Sequence, residues 1–152
     1  MSDSTGGDGG RDRRQNDEGA RRRPISVLLV DDSPDLADSV AAVLQRDNDD
    51  LTVATTTDPI DAFSVLGEGT VDCVVSDYRM QPIDGMEFLD VVRESYPGMP
   101  FVMLTNKGSD VVEADALAAG AAAYLEKEAD PAQYGRLAET IRAAIRPGSG
   151  DA

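Results

Sequence analysis

Residues Val74–Gly85 read VVSDYRMQPIDG, an apolar run that ends on the carboxylate of Asp77 and continues into a turn. The run Val71–Ser76 is short, rich in β-branched residues and nearly uninterrupted, which is typical of a central strand in a parallel sheet covered by helices on both faces. Ligands of such sheets bind beyond the carboxyl ends of the strands. Asp77 is therefore a candidate site residue, although an aspartate that closes a strand is more often part of a turn.

The rest of the chain alternates between apolar runs and helical patterns on either side of this stretch. Apart from Val71–Ser76, the predicted strands are Ile25–Val30, Leu51–Ala54, Phe101–Leu104 and Ala121–Leu125. Helices are predicted to begin near Ser33-Pro34, Asp58-Pro59, Gly85, Gly108 and Asp130-Pro131, where capping and first-turn residues stand. Five strands alternating with five helices predict right-handed crossovers and a doubly wound five-stranded parallel sheet in a three-layer α/β/α domain.

The domain is expected to span residues 25–147, with a disordered N-terminal tail at 1–24 and a short flexible tail at 148–152. The N-terminal tail is built from Gly, Asp, Ser and Arg and has almost no apolar residues. The lone Cys73 cannot form an internal disulfide and is expected to be buried, which fits a reducing compartment. Because no segment is long and apolar enough to cross a bilayer, the sequence predicts a cytoplasmic protein.

Charge is distributed unevenly along the chain, which has 14 basic and 29 acidic residues. Residues 1–24 carry six Arg and five acids, so residues 25–152 carry eight bases and twenty-four acids. A field of this sign repels nucleic acid and anionic membranes, so neither is expected as a direct partner. Aspartate dominates the acids and Lys107 and Lys127 are the only lysines, a composition that resembles cytoplasmic proteins of halophiles; ordinary acidic solubility is the alternative.

Polar residues follow four of the predicted strands. They are the pair Asp31-Asp32, Asp77, Thr105 and Lys127. Each alone has an unremarkable explanation as a turn or surface residue. The carboxyl ends of parallel strands meet at one edge of a sheet, so four independent turns would rarely place an acid pair, an acid, a hydroxyl and a lysine there together.

With these residues in place, the sequence resembles the receiver domain of two-component response regulators from Ile25 to about Arg146, in a form similar to haloarchaeal receivers. The resemblance is carried by VLLVDDS at 27–33, SDYRM at 76–80 with Asp84-Gly85, Leu104-Thr105, and YLEK at 124–127. It implies a flavodoxin-like strand order 2-1-3-4-5 and phosphotransfer from a histidine kinase to Asp77. The resemblance also implies that Asp31, Asp32, Asp77 and the backbone carbonyl of Arg79 bind Mg²⁺, that Thr105 and Lys127 contact the phosphoryl group, and that Thr105 and Tyr124 form a switch.

The chemistry of the residues agrees with those roles. Three neighbouring carboxylates repel one another, and a hard cation with oxygen ligands relieves that repulsion. Phosphoryl transfer depends mainly on positioning and on charge neutralisation, for which Asp77 would be the nucleophile and Lys127 a fixed positive charge. The expected output surface for a downstream protein lies within residues 108–145. Tyr124 belongs to this region and is the proposed switch residue, but an aromatic residue on a strand is more often part of the core.

Several residues depart from the family pattern. Glu128 follows Lys127 where the family usually has a proline after a cis peptide bond, the turn reads Gln81-Pro82 with the proline one place late, and Asn106 replaces a smaller residue. Arg79 and Lys107 match positions that influence acyl-phosphate lifetime in the family, and solvated surface charge explains them equally well. These departures concern loop geometry and leave the acceptor unchanged.

Three function classes stay open. The favoured one is a single-domain signalling phosphoacceptor, not an enzyme beyond its own phosphotransfer and dephosphorylation; a variant of it is an N-terminal receiver of a larger sensor kinase or regulator. A pseudo-receiver would keep the fold as an interaction module without the chemistry. An aspartate-nucleophile phosphatase typically needs an acid two residues after the nucleophile, where Arg79 stands. The chain has no histidine and so cannot itself be the histidine phosphodonor.

Overall fold

A computed structural model describes residues 24–105, 110–127 and 132–145. Within them, five strands alternate with five helices, as the sequence predicts. The strands are β1 Ile25–Val30, β2 Leu51–Thr56, β3 Cys73–Ser76, β4 Phe101–Thr105 and β5 Ala123–Glu126. The helices are α1 Pro34–Asp47, α2 Pro59–Gly67, α3 Gly85–Ser95, α4 Asp110–Ala118 and α5 Ala132–Ile145.

All strand pairs are parallel, and the order across the sheet is β2-β1-β3-β4-β5. The predicted α/β class and strand order 2-1-3-4-5 are confirmed. The order reverses between β1 and β3, the kind of switch point at which open α/β sheets bind ligands beyond the carboxyl ends of their strands. In register, Val30 of β1 pairs with Ser76 of β3, so the residues that follow these two strands emerge side by side.

The sheet separates two hydrophobic clusters, because alternate side chains of each strand point to opposite faces. One cluster joins Val27 and Leu29 of β1 to α1 and α5. The other joins Leu28 and Val30 to α2, α3 and α4. The second cluster contains Phe88, whose ring lies 5.2 Å from that of Phe63 and 5.8 Å from that of Phe101. The three-layer arrangement follows from these two apolar faces.

Local details correct some of the predicted element boundaries and packing. Ser33 stands at the N-cap of α1, but its side chain makes no capping hydrogen bond. Ile60 on α2 is 49% exposed, and the buried residues of this helix are Pro59, Ala62 and Leu66. β5 begins at Ala123, two residues later than predicted. Gly120 has a positive φ of 112° in the turn after α4, and the Ala121 N–H still donates to the Ala116 carbonyl of that helix.

Several predictions fall outside the described residues. These are the two tails, the role of Lys107, the start of α5 at Asp130-Pro131 and the Lys127-Glu128 peptide bond. The Gln81-Pro82 peptide bond is cis. Among the helices that the structure describes, none has the length and apolar character needed to span a membrane.

Candidate functional site

Asp31, Asp32 and Asp77 lie together at the carboxyl edge of the sheet. Asp31 and Asp32 follow β1, and Asp77 follows the adjacent strand β3. Each contributes one carboxylate oxygen to a group in which these oxygens lie within 4.8 Å of one another. Asp31 and Asp77 are buried, whereas Asp32 is exposed. The sequence prediction that these three acids meet is therefore matched by the geometry.

Lys127 follows β5 and reaches back to this acidic group. Its ammonium nitrogen Nζ lies 2.7 Å from Asp31 Oδ2 and 3.7 Å from Asp77 Oδ2. Its backbone N–H donates a 2.7 Å hydrogen bond to the carbonyl of Thr105, which anchors the start of its side chain beside β4. The Lys127 side chain is only 10% exposed, so its charge acts on the two carboxylates with little screening by water.

Backbone N–H groups of nearby residues hold the two buried carboxylates of the site. The Tyr78 N–H donates a 2.8 Å hydrogen bond to Asp77 Oδ1. On the other side of the site, the Ser33 N–H donates a 2.9 Å hydrogen bond to Asp31 Oδ1. Both carboxylates therefore use one oxygen for a local backbone hydrogen bond while the other oxygen, Oδ2, faces Lys127.

Burial is the largest influence on Asp77 and raises the pKa of its carboxyl group. The positive charge of Lys127 opposes this shift, as does the Tyr78 N–H bond. The negative charges of Asp31 and Asp32 add to the raised pKa. The ionised form of Asp77 is thus less favourable here than in water, and a further cation among the three acids would favour it.

Thr105 ends β4 with its side chain buried, at 1% exposure. Its hydroxyl oxygen Oγ1 is completely inaccessible and has no hydrogen-bond partner among the residues that the structure describes. A buried hydroxyl without a partner is unfavourable and rare in native proteins. The side chain is therefore suited to a hydrogen bond with a group that enters the site.

Tyr124 and Arg79 have different surroundings. Tyr124 is half-buried on β5 and packs against the cluster formed by α2, α3 and α4. Arg79 is exposed and lines a polar cleft of about 400 Å³ together with Asp32, Tyr78, Met80, Gln81 and Asp84. The cleft opens next to the acidic group through Asp32. The proposed contact of the Arg79 carbonyl with a metal ion stays a prediction.

Gly85 allows α3 to begin directly against the phosphoacceptor candidate. Its N–H donates a 2.7 Å hydrogen bond to the Tyr78 carbonyl. A Cβ atom at this position would lie 2.4 Å from the Asp77 carbonyl oxygen and 2.9 Å from the sulfur of Met103. Only glycine fits this approach. Asp84 caps the helix by accepting a 2.9 Å hydrogen bond from the Glu87 N–H, and the Glu87 carboxylate accepts one from the Asp84 N–H in return.

Sequence reasoning missed two features of the site. It gave Lys127 a role towards the phosphoryl group but did not identify its closer contact with Asp31. It also treated Ser76 as part of an apolar strand, whereas its hydroxyl donates a hydrogen bond to the Asp77 carbonyl. The sequence does carry a signal for the role of Ser76, because it is the single hydroxyl residue at the end of an otherwise apolar strand.

Comparison with known proteins supports one family. Residues 27–139 match the family model described as "Response regulator receiver domain". The chain is 33% identical over 122 residues to a protein of Synechocystis named response regulator Rre1, an alignment that covers 79% of this chain and 52% of the relative. It is 34% identical over 126 residues to a protein-glutamate methylesterase/protein-glutamine glutaminase of Nocardioides, covering 81% of this chain and 34% of that protein. The chain thus spans about half or less of these relatives.

Solved structures of receiver proteins also resemble this chain. Chemotaxis protein CheY4 of Vibrio cholerae superposes with a TM-score of 0.70 at 28% identity, covering 80% of this chain and 98% of that one. The beryllofluoride-activated receiver domain of NtrC4, described as a dimer, superposes with a TM-score of 0.70 at 26% identity, covering 80% of this chain and 97% of that one. With the match over residues 27–139, the strand order and the acidic edge, the chain belongs to the response regulator receiver domain family.

Proposed function

We propose that this chain is a signalling phosphoacceptor in which Asp77 receives a phosphoryl group from a histidine kinase. Receiver domains take phosphate from histidine kinases and bind Mg²⁺ at an acidic pocket. The proposal rests on the convergence of three carboxylates and one lysine at the edge of the sheet. One oxygen of each carboxylate lies within 4.8 Å of the others, and Lys127 Nζ lies 3.7 Å from Asp77 Oδ2.

The residues present fit a magnesium ion. Mg²⁺ prefers oxygen ligands and is commonly held by one or two carboxylates plus phosphate oxygens. Asp31, Asp32 and Asp77 offer such oxygens, and the exposed position of Asp32 leaves the group accessible from solvent. When bound, Mg²⁺ supplies positive charge that neutralises the oxygens of the transferred group.

In the proposed reaction, a carboxylate oxygen of Asp77 attacks the phosphorus atom of the donor. The new bond is an acyl phosphate O–P bond, and the bond from phosphorus to the histidine nitrogen of the kinase breaks with its electron pair left on that nitrogen. Lys127 stabilises negative charge on the phosphoryl oxygens, for which it moves from Asp31 towards Asp77. Thr105 donates the hydrogen bond that its buried hydroxyl lacks among the described residues.

We further propose that the surface of α4, β5 and α5 passes the signal to a downstream protein. Ala116 is the only residue of α4 that is buried, while Val111 is 69% exposed and Leu117 is 44% exposed. Thr105 pairs in register with Glu126 on β5, two residues from Tyr124. Because Thr105 lies beside β5, a movement of Thr105 towards the phosphoryl group would take place next to the strand that carries Tyr124.

Phosphorylation by acetyl phosphate tests the main proposal. We expect the intact mass to increase by one phosphoryl group in the presence of Mg²⁺, with no increase when the metal is chelated. Asp77→Asn removes the nucleophile and should abolish labelling, whereas Asp90→Asn, an exposed acid on α3, should leave it unchanged. Equal labelling of Asp77→Asn would contradict the assignment, and no labelling of the native protein would favour the pseudo-receiver.

A further inference from the structure

We propose that Ser76 is a positioning residue for the Asp77 carboxylate and acts through the peptide group that joins Asp77 to Tyr78. This inference rests on the proposed role of Asp77 as the phosphoacceptor. Ser76 itself does not touch the group that is transferred.

The contacts of this peptide group carry the inference. Ser76 is completely buried, and its hydroxyl donates a 2.9 Å hydrogen bond to the Asp77 carbonyl oxygen. The N–H of the same peptide group belongs to Tyr78 and donates the 2.8 Å bond to Asp77 Oδ1. Because a peptide group is planar, fixing the direction of its carbonyl also fixes the direction of its N–H. The Ser76 hydroxyl therefore sets the orientation of the donor that holds the carboxylate.

Neighbouring peptide groups are fixed independently. The Asp77 N–H donates a 2.9 Å hydrogen bond to the Val30 carbonyl of β1, which holds the peptide before Asp77. The Tyr78 carbonyl accepts the 2.7 Å bond from Gly85, which holds the peptide after Tyr78. Ser76 adds the restraint on the peptide between these two, at the point where the strand ends and the chain turns.

The burial of a hydroxyl at this position supports a specific role. The other residues of β3 are Cys73, Val74 and Val75, all of them completely buried and apolar. An apolar side chain would fill the Ser76 position without the cost of removing a hydroxyl from water. The hydroxyl is compensated by its bond to the Asp77 carbonyl and by a contact of 3.8 Å with the Met80 sulfur. Both partners belong to the segment that carries the phosphoacceptor.

Ser76→Ala is the direct test because it removes one oxygen atom from the core. In metal-free protein, we expect hydrogen exchange of the Tyr78 amide to increase about tenfold relative to the amides of β3, with a shift of its NMR resonance. The rate of Asp77 phosphorylation by acetyl phosphate at saturating Mg²⁺ should fall about three- to tenfold, the effect of one neutral hydrogen bond. Ser76→Thr keeps the hydroxyl and should restore both properties.

Val74→Ala is the matched control. Val74 lies two residues earlier on the same face of β3 and is also fully buried, so its truncation lowers stability without touching the Asp77–Tyr78 peptide. An unchanged Tyr78 amide in Ser76→Ala, or the same change in Val74→Ala, would overturn the proposal. The amide readout needs no phosphorylation, so it decides the role of Ser76 even if Asp77 proves not to accept phosphate.

Discussion

Lys127 Nζ lies 2.7 Å from Asp31 Oδ2 and 3.7 Å from Asp77 Oδ2, so the lysine neutralises Asp31 more directly than it does Asp77. Both side chains are almost completely buried, with 10% exposure for Lys127 and 5% for Asp31. Breaking a buried ion pair by removing one partner leaves an uncompensated buried charge. Loss of either partner should therefore destabilise the fold even before any phosphoryl group arrives.

Lys127→Met should lower the free energy of unfolding by on the order of 3 kcal/mol in metal-free protein, because Asp31 and Asp77 then lose their shared cation. Mg²⁺ should restore more stability to this variant than to the native protein, since the metal ion replaces the missing charge. Urea denaturation with and without MgCl₂ measures both effects. Arg46→Met is the control, because Arg46 pairs with Asp47 on the exposed surface and its loss should change little.

Thr105→Val should raise the free energy of unfolding by about 1 kcal/mol, because it replaces a buried hydroxyl that lacks a partner among the described residues with a methyl group of similar shape. We expect beryllofluoride to change hydrogen exchange over residues 110–126 of the native protein; the Thr105→Val variant should still be phosphorylated but should not show this change. Thr105→Ser keeps the hydroxyl and serves as the control. A destabilised Thr105→Val protein would show that the hydroxyl already has a partner.

Cys73 is expected to be chemically inert in the folded protein. Burial raises the pKa of its thiol to about 12, and the charge of Asp72 adds to the shift. Alkylation by iodoacetamide at pH 8 should therefore require unfolding. Above about pH 9 the unfolded thiol loses its proton while the folded one keeps it, so this group should make stability fall between about pH 9 and 12. The difference between native protein and Cys73→Ala isolates that contribution; rapid alkylation under native conditions would disprove it.

Gly120→Ala should destabilise the fold by about 1–3 kcal/mol. Gly120 has a φ of 112°, and a Cβ atom there would lie 2.6 Å from Nε of Arg93. The Arg93 guanidinium donates hydrogen bonds of 2.9–3.0 Å to the carbonyls of Tyr96, Pro97, Met99 and Gly120, which ties the end of α3 to the turn before β5. Gly98→Ala, where nothing lies within 4 Å of the added atom, is the control in thermal or urea unfolding.

The acidic composition predicts a salt requirement. With a net charge of −15, mutual repulsion destabilises the compact state, and molar KCl should screen it and raise stability. Combining Asp90→Asn with Asp115→Asn, two exposed positions outside the site, should reduce the gain from salt. Equal stability of the native protein in dilute buffer and in molar KCl would count against the halophilic interpretation.

The fold could be predicted because its signals are local and repeated. The β-branched strands and the capping residues Asp58 and Asp84 mark the element boundaries, and a parallel sheet brings Asp31, Asp77 and Lys127 to one edge. The exposure of Ile60 could not be predicted from its apolar side chain, since Pro59, Ala62 and Leu66 are the residues of α2 that face the core. The closer pairing of Lys127 with Asp31 could not be predicted, since it depends on distances between side chains from strands that are not neighbours in the chain.

The division of the core by the sheet has a consequence for how sequences of this kind can diverge. Residues of the two clusters do not share contacts across the backbone layer, so substitutions on the α1/α5 side and on the α2/α3/α4 side should have additive effects on stability. Each side can then accumulate changes during evolution without compensation on the other. Asp77 and Thr105 follow strands that contribute to both clusters, through Val75 and Leu104 on one face and Val74 and Met103 on the other. Substitutions on either side of the sheet should therefore be able to affect the position of these two site residues.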